Sequence, residues 1–137
     1  SCMADFRVQI TTADGLLYDG QAERVVIRTT EGDVGLLKGH IDYLAALKDV
    51  SELRLTADGK TRIAAVSGGF VSVTKEITHI FATTLEWADE IDKNRAEHAK
   101  EIAEKRLQEK KQEDLDHKLA ELKLKRAINR IRVADKR

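Results

Sequence analysis

The chain has 137 residues, with 24 basic and 24 acidic side chains that cancel to a formal net charge of zero. That length favours one domain with at most a small appendage, and the balanced charge gives no overall pull toward nucleic acid or anionic lipid. No run approaches the roughly 18 apolar residues of a membrane span and no signal-like stretch follows the N-terminus, so neither direct membrane insertion nor classical secretion is expected.

In chain order, Ser1-Cys2 ahead of Met3 reads as an expression scar (residues 1–2) before the natural start. Cys2 is the only cysteine, so no intrachain disulfide and no thiolate metal site is expected. The neutral total hides two regimes. Up to Asp89 there are 9 basic and 13 acidic residues, and beyond it 15 basic and 11 acidic, so net −4 is joined to net +4. All eight glycines fall at or before Gly69, all six aromatics at or before Trp87, and proline is absent. The chain therefore divides near residue 88, giving a first domain over 3–88 and a second over 89–137.

The first domain reads as strands. Phe6, Val8 and Ile10 alternate with Arg7, Gln9 and Thr11 until the turn dipeptide Asp14-Gly15. Similar runs follow at 16–18, 22–28, 33–37, 52–56, 61–66, 70–74 and 77–84, separated by Asp19-Gly20, Glu31-Gly32, Asp58-Gly59 and Gly68-Gly69. Short strands at that spacing predict an antiparallel β-sandwich of about ten strands.

The second domain reads as helix. From Glu90 onward there is no Gly, Pro or aromatic residue, and Ala, Glu, Lys, Leu and Arg dominate. Ile91, Arg95, Ala99, Ile102 and Leu107 recur at helical steps, and so do Leu115, Leu119, Leu122, Ala127, Ile131 and Ala134. A two-helix antiparallel hairpin suits these narrow stripes. The break at 110–114 holds neither Gly nor Pro, so nothing local forbids a single long rod, and such a near-balance is what a conformational switch needs, though the plainer reading is an ordinary hairpin with a helix-tolerant loop. At the junction, Asp89 is expected to cap the first helix, with Asp92 at its third position favouring the helix dipole.

Signatures of chemistry fail one by one. Gly59-Lys60-Thr61 has the tail of a phosphate-binding loop, but Arg54 stands where its first Gly belongs. The stretch 32–39 lacks dinucleotide spacing, and Ser67-Gly68-Gly69 lacks the nucleophile elbow. His40, His79, His98 and His117 form no metal-binding pair. No catalytic residue and no metal ligand is assigned, and no cofactor is required.

Four segments together carry a resemblance. They are Thr30-Glu31-Gly32-Asp33-Val34-Gly35-Leu36-Leu37-Lys38-Gly39-His40, Ala65-Val66-Ser67-Gly68-Gly69-Phe70-Val71, Glu90-Ile91-Asp92-Lys93-Asn94-Arg95-Ala96 and Lys125-Arg126-Ala127-Ile128-Asn129-Arg130-Ile131. In this order, the chain from Met3 to Arg137 resembles the epsilon subunits of bacterial F-type ATP synthases. The resemblance implies a sandwich at the foot of the central stalk that touches the gamma subunit and the c-ring, with Glu31, Gly39 and His40 as contact positions. It implies helices that switch between a hairpin and an extended form, reaching the alpha/beta catalytic head and inhibiting hydrolysis. It also implies regulatory ATP binding through Ile91, Asp92, Arg95 and Ala96, with Glu86 and Asp92 toward adenine or ribose and Arg95, Arg126 and Arg130 toward phosphates. A second arginine that strong ATP binders of the family carry is Ile102 here, and two family prolines are replaced by Asp42 and Asp49. The implied location is the cytoplasmic face of the bacterial plasma membrane, as a peripheral part of the complex. Residue patterns alone leave one alternative, a non-catalytic adaptor with a β-domain and a coiled-coil arm.

Overall fold

The computed structural model describes residues 5–30, 32–36, 42–109 and 114–136. They form two compact units that divide between Trp87 and Ala88.

The first unit holds eight strands: β1 (Phe6–Thr12), β2 (Gly15–Ala22), β3 (Arg24–Thr29), β4 (Gly32–Leu36), β5 (Tyr43–Ala46), β6 (Ser51–Ala57), β7 (Lys60–Val73) and β8 (Thr78–Trp87). Their hydrogen-bonded order is β2-β1-β8-β7-β6-β3-β4, with β5 added to β7. The pairs are antiparallel as expected, with one exception: β1 runs parallel to β8, with Val8 beside Thr78 and Ile10 beside Ile80. Alternation explains the core. Val8 and Ile10 of β1, Val25 and Ile27 of β3, and Leu53 and Leu55 of β6 join Ala64, Val66, Val71 and Ile80 in one buried cluster. Strands distant in the sheet order thus share a core, as a sheet folded over itself requires.

Two expected runs, 61–66 and 70–74, are one strand. The separator Gly68-Gly69 does not end β7; it bends it. Both glycines have positive φ, 63° and 109°, and β8 stays in register on either side, with Ser67 opposite Thr84 and Gly69 opposite Ala82. Across the bend the core-facing set changes from Ala64 and Val66 to Val71 and Val73. The other edge of β7 changes partner there, from β6 to β5. Leu47 N donates to Gly69 O at 2.9 Å and Gly68 N to Lys48 O at 3.0 Å, so the bent backbone remains satisfied. Strand β5 lies outside the runs read from the sequence.

The second unit is a helical hairpin. A single 3-10 turn over Ala88–Glu90 precedes α1 (Lys93–Gln108), and α2 spans Asp114–Ala134. The first residue of α1 meets the end of α2, since Lys93 ion-pairs Asp135, so the helices are antiparallel. The expected break at 110–114 falls almost wholly outside the described residues. The buried side chains include Ala96 and Ala103 on α1 and Ala120, Ala127 and Ala134 on α2. Seven-residue spacing of alanine lets two helices approach closely. It also buries little apolar area, because a methyl group contributes only about 0.8 kcal/mol.

The expected cap is shifted. Asp89 lies in the 3-10 turn, and Asp92 is the N-cap, with φ −80° and ψ 100° and its carboxylate accepting from the N–H of Arg95. The reason is local. Ile91 N bonds back to Ala88 O at 3.4 Å, which holds 88–91 in a separate turn and leaves Asp92 as the first residue able to accept from α1.

Candidate functional site

Two surfaces emerge, one on each unit.

On the hairpin, the segment 91–96 is built as a helix entry. Ile91 and Ala96 are buried and serve packing, while Asp92 Oδ1 accepts from Arg95 N at 3.1 Å. The Asp92 carboxylate thus meets the backbone N–H of Arg95 rather than its side chain. Its guanidinium is exposed, with no carboxylate partner among the described residues. Arg126 and Arg130 lie four apart on α2, hence on one face, and both are half-buried and engaged by neighbouring groups. The Lys93–Asp135 contact sets the register. Counting back from it at about 1.5 Å per residue puts Arg130 roughly 4–5 Å from level with Arg95, and Arg126 about level with Ile102. One helix thus supplies a free guanidinium and a capped N-terminus, the other two arginines on one face. That is a chemistry suited to a phosphate. Ile102 is 43% exposed at the level of Arg126, where it offers no donor. Toward the turn, Leu115 and Leu119 are also exposed, at 77% and 44%. Glu86, the remaining member of the expected ATP set, belongs to the first unit, where it is half-buried, engaged and opposite Ala65.

Glu31, Gly39 and His40, the expected partner contacts, lie outside the described residues.

The first unit carries a surface that the motifs did not point to. Residues facing away from the core on β5, β7, β8 and β1 line up across the sheet. Ala46 lies opposite Phe70, Phe70 opposite Phe81, and Phe81 beside Thr11. In the next row Leu44 lies opposite Ser72, Ser72 opposite His79, and His79 beside Gln9. Phe70 and Phe81 stack at 4.6 Å between ring centroids, and the His79 ring stacks on Phe81 at 3.9 Å. His79 Nε2 shares a hydrogen bond with Thr11 Oγ1 at 3.2 Å. Leu44 is 71% exposed and Phe70 44%, and Leu16, opposite Thr11, extends the strip. Arg7 and Asp19 border it with an ion pair at 3.3 Å, and the Arg7 hydrogen bonds hold the Asp19 carboxyl below its ordinary range. Outward-facing large apolar groups in adjoining rows are the kind of surface that a protein contact covers. A signal for it exists in the sequence. Phe70 follows a positive-φ glycine pair that reverses which residues face inward, so it stands on the side opposite to that of Val71 and Val73.

The described residues hold no cluster of three or more His, Cys, Asp or Glu side chains placed for a metal ion. No helix among them is long and apolar enough to cross a membrane.

Comparison with known proteins agrees with the two-part division. Residues 5–88 match the beta-sandwich domain of the ATP synthase delta/epsilon chain, and residues 89–135 its long alpha-helix domain. The chain is 42% identical over 137 residues to an ATP synthase epsilon chain of Ruminococcus albus, covering 98% of this chain and 100% of that one. It is 47% identical over 132 residues to the epsilon chain of Bacillus velezensis, covering 96% and 98%. Among solved structures, it resembles a chain of the Euglena gracilis mitochondrial ATP synthase with a TM-score of 0.77 and 25% identity, covering 91% of this chain and 78% of that one. A chain of the Tetrahymena thermophila mitochondrial ATP synthase central stalk and c-ring shares the fold, with a TM-score of 0.63 and 13% identity over 94% and 96% of the two chains.

Proposed function

The chain belongs to the ATP synthase delta/epsilon family, and from that membership we infer that it works as an epsilon-type subunit of the central rotor stalk. What carries this is the match of both halves, in order, over nearly the whole length of bacterial epsilon chains. Its partners are the gamma subunit, the c-ring and the alpha/beta head, and it helps couple proton flow to ATP synthesis. It contributes no catalytic group: synthesis and hydrolysis belong to the complex. The apolar strip formed by Leu44, Phe70, Phe81 and Leu16 fits the stalk contact, since a fixed partner would take it out of water. Glu31, Gly39 and His40 are assigned to the gamma and c-ring contacts by family resemblance. The subunit sits peripherally on the cytoplasmic face of the bacterial plasma membrane.

The hairpin is the regulatory part. It opens to an extended form that inhibits hydrolysis, and ATP acts as a regulatory ligand that favours the closed form. Two observations support this. Five of the buried side chains on the two helices are alanines, each of which buries little apolar area, and this suits a closed form that is modestly favoured. Leu115, Leu119 and Ile102 are exposed in the closed form and available to a partner in the extended one. In the closed form Arg95, Arg126 and Arg130 would take the phosphates and Asp92 the adenine or ribose, with Ile91 and Ala96 shaping the segment.

Reconstitution tests the stalk role. Added to an epsilon-depleted bacterial complex, the chain is expected to restore assembly with gamma and proton-driven synthesis. A chain that binds neither gamma nor the depleted complex would favour the adaptor alternative.

A further inference from the structure

The two ends of the hairpin farthest from its turn are joined by charge. Lys93 Nζ lies 2.6 Å from Asp135 Oδ1, with the side chains 40% and 54% exposed. Each residue is poorly placed for its own helix. Lys93 is a cation at the first position of α1, where the helix dipole presents its positive end, and Asp135 is an anion just past α2, at the negative end. Local preference therefore opposes both side chains, and the contact across the gap between helices offsets this for both. A break of a local rule that a long-range contact compensates ties that contact to the closed state.

The position reinforces this. Helix termini fray first, so a contact at the C-terminal end of α2 restrains the earliest step of its release from α1. Beside the pair, the hairpin buries Ala96 and Ala103 on α1 and Ala120, Ala127, Asn129, Val133 and Ala134 on α2, with Asn129 engaged by a neighbouring group. Lys93 also lies inside the 91–96 segment, between the cap Asp92 and the exposed Arg95, so the same contact that holds the ends fixes the level of Arg95 against Arg130.

We propose that the Lys93–Asp135 pair is an electrostatic latch that sets the closed-to-open ratio of the hairpin and positions Arg95 against the arginines of α2. The latch rests on the reading that the hairpin opens, but it acts in the isolated chain with neither nucleotide nor partner present.

Amide hydrogen exchange on the full chain tests it, comparing α2 amides with those of the β-domain. Lys93→Ala and Asp135→Ala are each expected to raise the opening constant of α2 about 3- to 5-fold, the range of a partly exposed ion pair. The double variant is expected to open no more than either single one. The reversed pair, Lys93→Asp with Asp135→Lys, restores closure, because it renews the contact and also suits both dipoles. Raising the salt concentration increases opening in the wild type and leaves the double variant unchanged. Additive single effects, or a reversed pair that stays open, overturn the latch while leaving hairpin opening intact. If α2 exchanges only with unfolding of the whole chain, the opening reading fails and the latch fails with it.

Discussion

Gly69 of β7 and the carbonyl of Phe81 in β8 stand so close that no side chain fits between them. A Cβ built on Gly69 would fall deep inside van der Waals contact of the Phe81 oxygen, and Gly69 itself has φ +109°. This is where β7 changes its buried face and its partner strand, so both core layers and the outer strip depend on one backbone geometry.

Gly69→Ala is therefore expected to destabilise the β-domain by about 2–4 kcal/mol, combining a left-handed backbone with a backbone clash. Gly59→Ala shares a positive φ, 73°, but meets open space. Its expected cost is about 1 kcal/mol. Denaturant unfolding of both variants gives the comparison, and equal costs would show that the close approach is relieved by a small shift.

Ala103→Leu places a large side chain in the alanine seam of the hairpin, where Ala103 is 2% exposed. Overpacking of this kind costs about 1–3 kcal/mol. The helices are expected to lose protection against hydrogen exchange while the β-domain melts unchanged.

Leu44→Ser with Phe70→Ser leaves the core intact, because both side chains face outward. Thermal melting is expected to move little, whereas affinity for the gamma subunit falls at least about tenfold, as loss of apolar anchors requires. Unaltered affinity would remove this strip from the stalk contact.

The broad division was legible in the sequence because composition changes at the boundary: glycine and aromatics end by Trp87, and helix formers follow. The alternation of Phe6, Val8 and Ile10 in β1 matches the side of the strand that packs on the core. Three features were not legible, each for a physical reason. Gly68-Gly69 signals a turn by residue type, yet β8 hydrogen-bonds across it and keeps β7 whole. The parallel β1–β8 pairing joins residues seventy positions apart, beyond any local pattern. The cap moved from Asp89 to Asp92 because an intervening 3-10 turn consumed the first acid, and both residue types serve equally as caps. The motif residues 91–96 were visible as a pattern, but only the structure separates buried Ile91 and Ala96 from exposed Arg95.

Calorimetry with ATP addresses the nucleotide site. Arg126→Ala and Arg130→Ala are each expected to weaken binding by about tenfold or more through loss of a charge-assisted contact. Asp92→Asn is the informative partner variant. It keeps a good N-cap, so α1 stays intact and any loss of heat reports the carboxylate charge itself. Absence of heat from the wild-type chain, or unchanged affinity in both arginine variants, would reject the site.

The most direct measurement of the two-domain account is ATP hydrolysis by a reconstituted membrane complex carrying the chain truncated after Trp87. The account predicts that the β-domain still assembles with gamma and supports proton-driven synthesis, while hydrolysis rises above that of the full-length complex. Normal assembly with hydrolysis no higher than full length would contradict the regulatory role of the helices.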